Sequence, residues 1–497
     1  MTTDSPSTDF IRGIGPLQAV SLVVGSMIGS GIFIVSADIG RQVNAWGPGG
    51  LMLVWVLTGL MTVAGALSYA ELAGMMPKAG GQYVFLREGL NPLAGFLYGW
   101  TLFAVIQTGT IAAVAVAFAK YLGVFFPALT DHLFLPLGSF ALPAGLGGQS
   151  IALGLSPERV VAILSVLFLT WVNVRGVGLG AGIQTLLTIV KTVALGGLIL
   201  LGITIFRHAD VWAANFAHFW GTAPWSFAML PVVAAAMVGS LFSSDAWNNV
   251  TFAAAEVREP ARNLPRALAL GTGLVTLLYL LANVAYLNVL PFAGDPVGAS
   301  ALARGMQHAA SDRIGAAAAE VMLGSGGALV MAGLIVISTF GCNAGLILSG
   351  PRLYWAMAQD KLFFAPAAAL HPVHRTPTFG LWAQAVWTSL LCLTGTYNQL
   401  LDFVIPAVLV FYFLTIIALF RLRATRPDLP RPVKAFGYPV VPGLYLVALA
   451  FVTGAQVIAR PLFAATGLII VAVGVPVFLW WHRGAARGSR ELLVVSR

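Results

Sequence analysis

The stretch Leu17 to Val43, LQAVSLVVGSMIGSGIFIVSADIGRQV, decides the fold. As one continuous helix it would be about 40 Å long, against a hydrocarbon core of roughly 30 Å. Gly25, Ser26, Gly29, Ser30 and Gly31 sit near its middle. Gly25 and Gly29, four apart, also suit close packing of one helix backbone against another. Gly29-Ser30-Gly31 is different, because consecutive residues loosen the backbone all the way round rather than along one face. Unwinding there would leave N–H groups at mid-membrane without carbonyl partners. Such backbone is tolerated only where a cavity or bound group satisfies it. A carboxylate suits the partial positive charge of the half-helix that follows.

A second interruption lies in Met229 to Val257, MLPVVAAAMVGSLFSSDAWNNVTFAAAEV. Gly239, Ser240, Ser243, Ser244 and Asp245 break its apolar run, and Asp245 is the acidic residue placed deepest in any expected span. An intramembrane carboxylate is costly and marks function or pairing. Three roles are open: part of a substrate pocket, a proton-coupling group, or a cap on the re-forming helix beside Asn248 and Asn249.

Working outward, 58% of the 497 residues are hydrophobic and 9% charged, where soluble domains carry roughly 25% charged residues. Charge-free runs from Gln42 to Ala70, Gly89 to Ala119, Ala267 to Gly294, Val321 to Pro351 and Phe403 to Phe420 are each long enough to cross a bilayer. They lack strand-like alternation, which argues against a β-barrel. The expected class is therefore an all-α polytopic membrane protein with about twelve transmembrane helices. The spans fall near 17–43, 48–73, 92–124, 159–175, 181–206, 226–253, 267–290, 322–350, 379–396, 401–420, 439–459 and 462–481. Lys and Arg outside the spans divide nineteen to seven in favour of the N-terminal side, which places both termini in the cytoplasm by the positive-inside bias. The start, MTTDSPSTDF, lacks the basic and apolar pattern of a cleaved leader, so the first span is expected to direct insertion. The net charge of +9 is scattered through short loops, which suits a membrane surface and speaks against nucleic acid. Cys342 and Cys392 lie in apolar runs as small buried side chains, and His132, His371 and His374 lack ligand-spaced companions, so no metal is expected.

Two interrupted spans at equivalent places in two halves point to a secondary transporter. Spans one to five and six to ten form the halves, and an odd number in the first turns the second upside down. The expected organisation is a cytoplasmic tail (1–16) and a transport core (17–420), divided into repeats 17–206 and 226–420. A connection (421–438), two accessory helices (439–481) and a cytoplasmic tail (482–497) complete it.

At these residues the chain resembles the amino acid-polyamine-organocation superfamily, and most nearly the L-type amino acid transporter-like bacterial permeases. The resemblance is carried by VGSMIGSGIFI (Val24 to Ile34), ALSYAELAGMMPKAGGQYVFLREG (Ala66 to Gly89), PLAGFLYGW (Pro92 to Trp100), LFSSDAWNNVTFAAAEVREPARNLPRAL (Leu241 to Leu268) and SGPRLYWAMAQD (Ser349 to Asp360). It implies the five-plus-five inverted-repeat fold, as in LeuT-like transporters, with two added C-terminal helices, and amino acid transport. Location in the inner membrane, no cofactor and no obligate protein partner are expected besides. The resemblance also implies that the substrate carboxylate meets the backbone of Ile28, Gly29, Ser30 and Gly31. The amino group would face the carbonyls of Ile28, Phe242 and Ser243. Phe242 stands where such proteins place an outer gate, and Trp247 follows it in the motif. This chain reads FSSDAW where FAYDGW is commoner, so Ser243, Ser244 and Ala246 replace Ala, Tyr and Gly. A smaller, more polar pocket follows, on a backbone that glycine would relax.

Lys191 has fifteen uncharged residues on each side, and its reach of roughly 6 Å falls short of either interface. It is either a proton-coupling switch or a fixed structural cation. In similar transporters a lysine here occupies the place of a sodium ion. Ser338 and Thr339 would otherwise read as sodium ligands, but two cations do not share one low-dielectric pocket comfortably. Sodium-independent transport follows, by proton symport or substrate exchange. Glu71, Lys78, Arg87 and Glu88 in one half, and Glu256, Arg258, Glu259, Arg262 and Arg266 in the other, suggest either a latch of ion pairs or solvated interface charge. An enzyme would need a nucleophile and base in the membrane, and a channel repeated polar rings; neither pattern is present. A neutral amino acid and a cationic amino acid or polyamine both remain open as substrate, because Asp245 is a deep counter-charge.

Overall fold

The computed structural model describes residues 10–141, 150–394, 397–459, 465 and 467–481. The expected tails therefore lie outside the described residues at 1–9 and 482–497, as does Arg460. Eight helices are long and apolar enough to cross a membrane alone. They are span two (with its lead-in, Asn44–Met75), span three (Pro92–Leu122), four (Pro157–Val174), five (Val177–Thr204), seven (Pro260–Val289), eight (Ser325–Gln359), ten (Val404–Thr425) and eleven (Val440–Ile458). The others are shorter. Span one is Pro16–Met27 continued by Val35–Gln42, span six is Met229–Ser243, span nine is Thr378–Cys392, and the described part of span twelve is Gly467–Trp481. Prolines open spans three, four and seven, where the missing N–H costs nothing and the fixed φ favours helix.

Neighbour relations repeat with an offset of five. Span one packs on seven and five, and span six on two and ten. Span eight packs on five and four, and span three on ten and nine. Pairs two–seven, three–eight and four–nine map onto themselves under this exchange. An inverted repeat produces this pattern, and the fold is the all-α polytopic one anticipated, with the broken spans first in each half.

Several local features were not legible beforehand. Span eight, expected to end at 350, runs through Pro351 to Gln359. The carbonyl of Ile347, deprived by that proline of its helical donor, accepts from Gln384 Nε2 at 3.4 Å. Its start is later than expected, since Gly324 at φ +72° separates it from the short helix Ile314–Leu323. Pro265, expected to mark a helix start or turn, lies inside span seven. A hairpin between spans three and four, Leu135–Ala141 antiparallel to Ser150–Leu155, departs from the all-helical pattern. Arg159 anchors this region through Asp131 at 3.1 Å and the carbonyl of Leu393 at 2.5 Å.

Candidate functional site

Span one breaks where the glycines predict. Its helix ends at Met27, and Ile28 is extended (φ −75°, ψ 90°). A single 3-10 turn, Gly31–Phe33, precedes the second helix. Ile28, Gly29, Ser30 and Gly31 are all buried. Among the described residues, the N–H groups of Gly31 and Ile32 meet no protein acceptor. Two adjacent buried donors without partners are costly in themselves and form a seat for an anion.

The carbonyl side of the break is answered from spans five and eight. Lys191 Nζ donates to the carbonyls of Gly25 and Ile28, both at 2.6 Å, and of Ser338 at 3.3 Å. Ser338 Oγ lies 3.1 Å from the carbonyls of Ile28 and Gly29, and Cys342 Sγ 3.1 Å from that of Ser26. Lys191 is 2% exposed, so its ammonium is bound to peptide oxygens rather than water. Thr339 is not part of the cluster, because its hydroxyl bonds the carbonyls of Ile335 and Val336 in its own helix. The carbonyl of Ile28 already has two donors, which leaves it poorly suited to the amino-group contact expected of it.

Span six ends at Ser243, and Ala246 turns the chain in the left-handed region at φ +65°. No α-helix re-forms; 3-10 turns at Trp247–Thr251 and Ala254–Glu256 carry the chain onward. The expected cap on a re-forming helix therefore has nothing to cap. At its end Ile14 and Val257 pair as a parallel bridge, so the segment before span one straps this region. The two breaks touch, and a β-carbon on Gly31 would overlap the Ser243 side chain. Tyr279 Oη of span seven lies 3.0 Å from the carbonyls of both Met27 and Ser243. It has one proton to share between them. The carbonyl of Phe242 accepts the Asp245 N–H at 3.1 Å. Ser244 is buried and Phe242 half-buried.

Asp245 faces a different neighbourhood from the first break. Its Oδ1 accepts from Tyr412 Oη at 2.5 Å, and no Lys or Arg among the described residues lies within ion-pair distance. It borders two cavities of about 20 Å³, one with Gln107, Thr110 and Asn248, the other with Thr62, Trp247 and Tyr445. Each has room for about one water molecule. Trp247 is buried edge-on to Tyr69 at 4.8 Å and beside Tyr412 at 5.2 Å, wedged among spans rather than lining an outer mouth. Tyr279, Tyr412 and Tyr445 escaped the sequence reading. Their signal was available: a tyrosine inside an apolar span needs a partner for its hydroxyl.

The suggested latch between the two charged connections is not built as such. Glu256 pairs with Arg352 of span eight at 2.8 and 3.1 Å, both fully buried. Glu71 takes Arg423 and Arg431 and the N–H of Ala435. Arg87 binds Glu88 and Asp360. Burial would raise the Glu88 carboxyl, but Arg87 and Arg426 outweigh it and hold it below its ordinary range. Glu256 and Glu71 are thus tied to spans eight and ten and the connection after ten, while Glu88 and Glu259 also pair within their own connections, with Arg87 and Arg262.

A family model described as amino acid permease matches residues 14–480. The chain is 30% identical over 482 residues to the human large neutral amino acids transporter small subunit 2, covering 95% of this chain and 81% of that one. It is 31% identical over 474 residues to the serine/threonine exchanger SteT of Bacillus subtilis, covering 94% and 96%. To the mouse Asc-type amino acid transporter 1 it is 29% identical over 470 residues, covering 94% and 80%. A transporter rather than an enzyme, and a multi-pass membrane protein, this chain belongs to the amino acid permease family.

Proposed function

We propose that the chain carries a small neutral amino acid across the cytoplasmic membrane by alternating access, as a sodium-independent exchanger, with both termini inside. The observation that carries this reading is the pair of unpartnered donors at Gly31 and Ile32 beside a carbonyl cluster already neutralised by Lys191. The substrate carboxylate sits on the Gly29 to Ile32 backbone. Its ammonium competes for the carbonyls of Met27 and Ser243, between which Tyr279 shares one proton, and for that of Phe242. Phe242 closes the outer side, while Trp247 acts as a wedge holding span six. A relative named as a serine/threonine exchanger supports both the small substrate and exchange; proton symport is the second coupling. The expected division into two repeats and accessory helices fits the fivefold offset in neighbours. Ser26 Oγ and both polar atoms of Gln184 are buried without partners between spans one, five and eight, which supports an inward path for polar solutes there. Both cysteines are buried, so a second subunit joined by disulfide is not part of the proposal.

Proteoliposomes loaded with serine should take up labelled serine equally with and without a sodium gradient, and poorly when empty. Uptake that needs sodium would sink the sodium-independent reading, and equal uptake by empty vesicles driven by a proton gradient would replace exchange by symport. The cationic alternative keeps one specific support: among the described residues no Lys or Arg lies within ion-pair distance of Asp245. Asp245→Asn should leave serine exchange within about threefold if the carboxylate only accepts from Tyr412, a loss of under about 1 kcal/mol. Selective loss of arginine binding in that variant would establish the cationic reading.

A further inference from the structure

On the face that bears the N-terminus, a cavity of about 690 Å³ lies away from the two breaks. Five segments of chain build it, one of them contributing only Ala255 from the turns that follow span six. Phe10 and Arg12 come from the leader to span one, Lys78 and Arg87 from the connection of spans two and three. Trp355 and Asp360 end span eight, and Arg375 follows in the connection to span nine. Its volume is in the range of sites for drug-sized ligands, well above what a free serine needs.

The charges are unbalanced in a particular way. Four cations and one carboxylate line the cavity, and that carboxylate, Asp360, is already bound by Arg87 and by Tyr83 Oη. The side chains of Arg12, Lys78 and Arg375 make no hydrogen bond or ion pair among the described residues. Arg352 and Arg423 on this face do find carboxylates, whereas three of the four cations that converge on this cavity do not. The wall also holds an unused donor: Trp355 Nε1 is buried without a partner, while its ring meets Phe10 edge-on at 4.8 Å. Convergent guanidinium and ammonium groups over an aromatic floor suit an anion with several acceptor oxygens and an apolar portion. A monocarboxylate would leave most of the charge uncompensated, whereas a phosphate monoester carries about two negative charges and accepts in the bidentate geometry arginine offers.

We propose that this cavity is a phosphate-binding site, separate from the substrate site, whose ligand bridges Arg12 to Lys78 and Arg375 and so ties the leader of span one to the neighbouring connections. The phosphate comes either from an anionic lipid headgroup at the membrane face or from a soluble phosphate compound.

Titration calorimetry on the full chain in neutral detergent, with inorganic phosphate and separately with dihexanoyl phosphatidic acid, distinguishes these sources. Saturable binding is expected for at least one. Phosphatidic acid alone assigns the site to lipid, and binding of inorganic phosphate as well assigns it to the phosphate group itself. The double variant Arg12→Gln/Arg375→Gln should weaken binding by at least about tenfold, as expected for losing charge-assisted hydrogen bonds. Lys78→Gln should weaken it by a smaller factor, and a helical circular dichroism spectrum and monodisperse elution check that each variant is folded. If neither probe binds, or if both bind the folded double variant as tightly as the parent, the site does not exist.

Discussion

The two helix breaks occupy equivalent places in the inverted repeat yet are held in opposite ways. The first is made of glycine and serine, strains no residue, and has its carbonyls answered from outside by Lys191, Ser338 and Cys342. The second is held by its own irregular turns, with a left-handed alanine and a carboxylate whose side-chain partner is Tyr412. One break is wired to the scaffold and leaves two amide donors open; the other carries strain and a carboxyl with no basic partner among the described residues. Symmetry of fold therefore does not extend to chemistry. The asymmetry places fixed positive charge behind the first break and adaptable polarity around the second.

The largest test of this contrast is Lys191→Met. It removes two short charge-assisted bonds and leaves buried carbonyls unpaired, so stability should fall by about 3 kcal/mol, read as a lower melting temperature. Sodium should then partly restore the variant while leaving the parent unmoved, since the same carbonyls and Ser338 Oγ would be free to hold a cation. An unchanged melting temperature would mean that the first break does not depend on its wiring. Gly31→Ala comes next. Overpacking against Ser243 should cost about 2 kcal/mol and, because it separates the breaks, lower substrate affinity by at least about tenfold. Substrate binding equal to the parent's would show that the breaks need not touch. The smallest effect is expected from Ala246→Gly, which relieves a left-handed alanine and should stabilise the protein by about 1 kcal/mol. A destabilised variant would show that the second break stores no such strain.

How far the site could be read in advance follows from what each signal depends on. The break at Gly29 to Gly31 was legible because glycine acts on its own backbone, and Lys191 because no lysine at that depth can reach water. The roles within the cluster were less so. Ser338 and Thr339 are adjacent and chemically alike, but one turns to span one and the other bonds within its own helix, a matter of helix rotation alone. Asp245 was found, but its neighbourhood was not, because Tyr412 and Tyr445 come from spans about 170 and 200 residues further along. Span eight was expected to end at 350 and runs on to Gln359 past Pro351, where Gln384 from span nine donates to the carbonyl of Ile347 that the proline leaves without its helical donor.

The sequence by itself determined the membrane location, the order of spans and the positions of both breaks, because hydrophobic length and backbone freedom are properties of short stretches. The tertiary structure decided which carbonyls Lys191 holds, which amides stay open, and where Asp245 and the charges of Arg12, Lys78 and Arg375 find their surroundings. Those are meetings between distant segments, and they depend on how helices rotate and pack against one another.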